Sequence, residues 1–171
     1  ATLLETTTMD SSSSSGCAER WIGMLSGQVR ALVQEAQRRI AVKIGSSSPL
    51  LPRVVRREAW LLNRWQPHRG LEQKTSYQER QGRTYHGEIL AMGSPAMIRR
   101  PYANDEPKLE PRWLRGLWLG KVAETNAHIV GTDRGIVMSR ACKEAEFIKA
   151  DEEKMCESMV WTPWRPRDED D

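Results

Sequence analysis

The stretch "RGLWLGKVAETNAHIVGTDRGIVMSRA" at residues 115–141 decides the fold class. Short apolar runs, "RGLWLGK", "AHIVGT" and "GIVMSRA", have the length and β-branched content of strands. "GTDRG" joins the last two, with Gly131 and Gly135 at the ends of a turn. Just upstream, "YHGEILAMGSPAMIRRPY" at 85–102 is rich in Gly and Pro and alternates over short runs. Residues 84–142 are therefore expected to form a small, strongly curved sheet or barrel. Trp113 and Trp118 are expected to fill its core. Stacking on unpaired bases is the alternative use for these two indoles.

Before residue 82 the period changes. From Cys17 to Ile44, Trp21, Met24, Leu25, Val29, Leu32, Val33, Ala36 and Ile40 recur at spacings of three and four. One amphipathic helix is expected there, ended by Gly45 and "SSSP". The five serines Ser11–Ser15 read as a polar connector, and residues 1–10 hold one short strand-like run. "RVVRREAWLLNRW" at 53–65 is a second amphipathic helix. Its apolar stripe is read as Val55, Ala59 and Leu62, widened by Val54, Leu61 and Trp65. Arg53, Arg56, Arg57 and Arg64 lie off that stripe. A short third helix is expected over Ser76–Gln81, with Thr75 or Ser76 as its cap. Near the end of the chain, "CKEAEFIKADEEKMCESM" has helix-forming residues but few apolar ones, and "WTPWRPRDEDD" is expected to be disordered, unless Trp161 and Trp164 dock elsewhere; residues 146–171 as a whole are expected to be an acidic, disordered tail.

Charge divides the chain. Residues 20–121 carry nineteen Lys and Arg against eight Asp and Glu, whereas residues 141–171 carry five against ten. The formal net charge of +3 hides this contrast. An Arg-rich middle suits a polyanion such as nucleic acid, and a solvated basic surface is the plainer reading. Arg30, Arg38, Arg39 and Lys43 lie off the apolar stripe of the first helix, where they can meet phosphates.

Other classes find no support. Cys17, Cys142 and Cys156 are an odd, widely spaced set without CxxC, and His68, His86 and His128 form no HxxxH pair, so neither a zinc site nor a disulfide framework is read. That cysteine usage fits a reducing, intracellular compartment. The mean hydropathy is −0.63, and no run approaches the ~18 apolar residues that span a bilayer. No membrane partner is expected. The first residues show no signal peptide, and without an initiator Met the chain reads as a fragment or a processed product.

Three motifs in order carry a family resemblance: "SGCAERWIGML", "AWLLNRWQPHRGLEQKTSYQERQGRTYHGEI" and "KLEPRWLRGLWLGKVAETNAHIVGTDRGIVMSRAC". They resemble the integrase region of a copia-type retrotransposon polyprotein. The first resembles a helix start whose Glu closes an Asp-Asp-Glu triad. The second resembles the stretch after the catalytic core. The third resembles a lysine-led segment that runs into a Gly-aromatic-Leu-Gly strand and a hairpin closing on Ser-Arg.

The resemblance implies an α+β chain: amphipathic helices from the end of an RNase H-like core, then a small SH3-like β-barrel. Residues 1–82 would be the core remnant, 83–145 the barrel and 146–171 the acidic tail. In the full-length enzyme, and only with upstream Asp residues that are not in this chain, Glu19 would be the catalytic and metal-binding carboxylate, with Mg2+ or Mn2+ as cofactor; neither ion is expected to bind tightly to this chain alone, and Arg20 beside Glu19 would touch a phosphate. Phosphoryl transfer with two metals needs several carboxylates. Before Glu19 this chain offers only Glu5 and Asp10, neither at the family's spacing. Glu19 alone cannot hold two metals, so the chain alone is expected to be inactive. The plainer reading of Glu19 is an acid in the first turn of a helix, favoured by the macrodipole.

The implied process is DNA integration, nuclear at that step. The partners are DNA or another nucleic acid through Arg20, Arg30, Arg38, Arg39, Lys43, Arg56 and Arg57, the rest of the element's polyprotein, and a second copy in a homo-oligomer. Two rivals stay open: a non-catalytic adaptor derived from such an element, and a decayed reading frame.

Overall fold

The computed structural model describes residues 12–40, 42–68, 73–100, 111–133, 135–160 and 162–165. The strand expected within residues 1–10, Trp161 and residues 166–171 lie outside them. The described chain is mixed α+β, with four helices and one five-stranded antiparallel sheet.

Helix α1 runs Ser12–Ile40 and α2 runs Leu51–Trp65. The short α3, Ser76–Gln81, carries the expected cap: the Thr75 hydroxyl accepts from the backbone N–H of Gln78, whose side chain accepts from Thr75 in return. Gly82, at φ +66°, closes α3 in the left-handed conformation that glycine adopts without penalty. The strands are β1 Pro95–Arg99, β2 Trp113–Lys121, β3 His128–Thr132, β4 Gly135–Ser139 and β5 Cys142–Glu144. Helix α4 follows, Lys149–Glu157.

Two boundaries differ from expectation. The serine run is not a connector, because Ser12–Ser15 already belong to α1. Helix α1 also stops before Gly45. The Gln37 side chain accepts from the backbone N–H of Ile44 at 2.8 Å, and the turned-back chain buries Ile44.

The sheet order is β4-β3-β2-β1-β5. It curls until β1 and β4 touch, although two strands lie between them. One small core, on Ala96, Ile98, Trp118 and Val130, packs with Leu114 and Val137. The adjacent side chains of β2, Leu117 and Leu119, join the opposite core, as strand alternation requires.

That second core is the larger one. It takes Ala36 and Ile40 from α1, Val54 from α2, Ile136 from β4, and Cys156 and Met159 from α4 and just beyond it. It therefore draws side chains from residues 1–82, 83–145 and 146–171 alike. The tail is not disordered throughout: few apolar residues suffice, because Cys156 and Met159 are both buried. Gly131 makes room for this packing, since a Cβ there would lie 2.4 Å from the Met159 terminal methyl. Trp118 fills a core as expected, whereas Trp113 is half-buried beneath the Lys143 ammonium, 5.3 Å from its ring centroid.

Strand β2 carries a fault. Trp118 pairs with Val130 and Gly120 with Ile129, so Leu119 is an extra residue in the ladder. Gly120 has φ +143°, which strains any residue with a Cβ. The Arg57 stem lies against this glycine, about 4 Å from where a Cβ would stand.

Helix α2 turns a different face inward from the one expected. Val55 and Ala59 are exposed. The buried set is Arg53, Val54, Arg57, Glu58, Trp60 and Arg64. Arginine has a long apolar stem and a flat head that rests on rings, so an Arg face can be an inner face.

Candidate nucleic-acid interface

Arg53, Arg57 and Arg64 fall at intervals of four and seven residues, so they share one side of α2. They line a cavity of about 560 Å³ between α2, α3 and the β2–β3 connection. Arg56, Arg80 and Lys121 line it too, and Glu124 is the carboxylate on its wall. Among the described residues, six cations around one acid make the cavity strongly positive, and low-dielectric walls concentrate that field.

Neutral groups contact each buried guanidinium. Arg57 donates to the Leu90 carbonyl at 3.0 Å and lies 5.0 Å from the Trp118 ring centroid. Arg64 sits 3.9 Å over Trp60, 5.0 Å from Tyr77 and 5.2 Å from Tyr85. It also donates to the carbonyls of Trp60 and Ala123, at 3.3 and 3.4 Å. Tyr85 is fixed by its own hydroxyl, which donates to the Asn126 side chain at 2.6 Å. Arg53 donates to the Thr162 carbonyl at 2.7 Å, bringing residues beyond α4 back against α2.

Among the described residues, neither Arg57 nor Arg64 has a carboxylate within ion-pair distance. The Nε atoms of both are buried without a hydrogen-bond partner, as is the Trp60 indole N–H. Burial pushes the Arg53 guanidinium down to about 10, and the charge of Arg56 adds to this. Burial lowers Arg57 as well, opposed by Glu58, and lowers Arg64, opposed by Tyr85 and Tyr77. Lys121 is lowered by the same cause, with Glu88 and Cys142 opposing. Burial raises the Glu58 carboxyl, and Arg57 opposes it. The arginines stay charged at neutral pH, so the cavity has more positive charge than its walls balance.

The other expected contacts lie elsewhere. Arg38 and Arg39 both pair with the Glu35 carboxylate, Arg39 at 2.8 Å, and the hydrogen bond from Arg39 is the main reason that carboxyl is lowered. Arg20, Arg30 and Lys43 are exposed and are not part of the cavity wall. Arg56 is exposed at the cavity. Arg57 corrects the expectation of a solvated surface charge: it is 8% exposed and committed to a carbonyl and a ring. Arg80 and Lys121 join the same cavity and were not expected there. Two sequence features accompany the buried set without fixing it: every cation of α2 is Arg, and the nearby segments are rich in Trp and Tyr.

Glu19 does not fit the plainer of its readings. It is exposed and lies seven residues into α1, about 10 Å along the axis at 1.5 Å per residue, beyond the reach of the helix-start dipole. No group of three or more His, Cys, Asp or Glu suited to a metal occurs among the described residues. By themselves these residues do not supply the carboxylate set that an Mg2+ or Mn2+ centre at Glu19 needs. No helix of the described residues is long and apolar enough to cross a membrane.

Compared with known protein families, curated proteins and solved structures, the chain matches none.

Proposed function

We propose that this chain is a nucleic-acid-binding module, akin to the C-terminal part of a copia-type integrase, that performs no strand transfer alone. In this reading the helices descend from the end of an RNase H-like core and the curled sheet is an SH3-like barrel. The partner is DNA or another nucleic acid. The observation that carries binding is the cavity between α2, α3 and β2, where, among the described residues, six cations face one carboxylate. Nothing comparable supports catalysis, since no group of three or more His, Cys, Asp or Glu suited to a metal occurs among the described residues.

The test is binding of a labelled mixed-sequence oligonucleotide, followed by anisotropy at 50 and 200 mM salt. Three phosphate contacts predict that affinity falls roughly tenfold or more over this range. Affinity that does not change with salt removes the reading.

A further inference from the structure

We infer that the α2–α3–β2 cavity takes the backbone of a single-stranded nucleic acid and discriminates against the duplex. This rests on the nucleic-acid reading and adds the form of the partner.

The first argument is depth. Arg57 and Arg64 are each only 8% exposed, yet both line the cavity. Their charge sits below the surface; buried Glu58 offsets part of that of Arg57, and neither guanidinium has a carboxylate within ion-pair distance among the described residues. A duplex is stiff over roughly 150 base pairs and cannot fold a phosphate inward. A single strand rotates freely about its backbone and can. A phosphate drawn into the cavity adds countercharge in a low-dielectric setting, where it is worth most.

The second argument is shape. Arg53, Arg57 and Arg64 span about 16 Å along α2, at 1.5 Å per residue. Arg56 and Arg80 add charge at exposed positions of the same wall. A line of cations suits a strand that tracks a groove rather than one compact anion.

The third argument concerns what is read. Single-strand binders commonly stack bases on aromatic rings. Here the Trp60 face is already covered by Arg64 at 3.9 Å. Tyr77 and Tyr85 meet edge to face, with ring centroids 5.5 Å apart. The rings hold the guanidinium and leave the phosphate as the group recognised, so recognition tolerates any base sequence.

The experiment compares a labelled 12-nucleotide strand with the 12-base-pair duplex of the same sequence, at 50 mM salt. Three variants of exposed residues keep the fold intact: Arg56→Gln and Arg80→Gln at the cavity, and Arg140→Gln away from it. The expected result is at least fivefold tighter binding of the single strand. The two cavity variants each weaken it threefold or more, and Arg140→Gln weakens it less than twofold. A strand-to-duplex ratio below fivefold overturns the inference and leaves the nucleic-acid reading standing. Equal losses in all three variants overturn the assignment to this cavity. Binding of neither probe overturns the inference and the reading together.

Discussion

The indole N–H of Trp118 donates to Nδ1 of His128 at 3.0 Å, inside the sheet core. This bond fixes the neutral tautomer, with the proton on Nε2. Burial lowers the His128 imidazole below its ordinary value, with Lys121 adding and Glu88 opposing. Because the folded pKa is lowered, the stabilisation is complete above the unfolded value near 6.5 and is lost as pH falls through the folded one. Urea midpoints are therefore expected to drop between pH 7.5 and 5, at no more than about 1.4 kcal/mol per pH unit from this one proton. Replacing His128 by Asn keeps an acceptor near the indole and flattens that part of the profile. An unchanged slope in H128N counts against the assignment.

Arg57 separates stability from binding. Burying the Arg57 charge costs stability and the buried Glu58 carboxyl beside it offsets part of that cost; an apolar side chain of similar length relieves the first and forfeits the second. Arg57→Met is expected to change urea stability by no more than about 1 kcal/mol in either direction. The same change is expected to weaken oligonucleotide binding at least fivefold. A protein that loses more than 2 kcal/mol would show that the carbonyl and ring contacts outweigh desolvation.

Arg64 is expected to behave differently, because three rings surround it. Lysine keeps the charge and loses the flat stacking and the two carbonyl contacts. Arg64→Lys is expected to cost roughly 1–2 kcal/mol in urea unfolding. A loss near zero would mean that the cage does not depend on the guanidinium plane.

Met159 tests whether the acidic end of the chain belongs to the fold. It is buried in the core shared with α1, α2 and the sheet. Met159→Ala is expected to cost about 2–5 kcal/mol, as large-to-small core changes do. Replacing Val160, its exposed neighbour, by Ala should change stability by less than about 0.5 kcal/mol. Because this core joins all three parts, tryptophan fluorescence and far-ultraviolet circular dichroism should give coincident unfolding curves. Separate transitions would show that the parts unfold independently.

Glu19 is expected to be dispensable. The purified chain with Mg2+ or Mn2+ should yield no strand-transfer product on a gel, and Glu19→Gln should bind oligonucleotides as the parent does. A product from the parent that E19Q abolishes would falsify the proposed lack of catalysis.

The elements were largely legible in the sequence, and the inner face of α2 was not. Strands β2, β3 and β4 announce themselves through short apolar runs and the Gly131–Gly135 turn, because pleat and turn chemistry are local. Helix α3 follows from Thr75 and Gln78, whose capping box needs only four residues. A hydropathy stripe puts arginine outside by rule. It therefore favoured Val55 and Ala59, which face solvent, over Arg57 and Arg64, which do not. What reverses the face is tertiary: the Leu90 carbonyl and the Trp118, Tyr77 and Tyr85 rings come from segments that only the fold brings near. The serine run was misread for a related reason, since Ser12–Ser15 have modest helix propensity yet continue into the long α1.

The irregularity at Leu119 has an evolutionary corollary. A chain shortened by that one residue would pair β2 with β3 in unbroken register, and by ordinary ladder rules it would be a tidier sheet. It would also lose the Leu119 side chain, which belongs to the larger core and lines the cavity. The extra residue thus lets one strand serve the sheet, the core and the cavity wall at once. A redesign that idealised this sheet would gain regularity and give up that shared side chain.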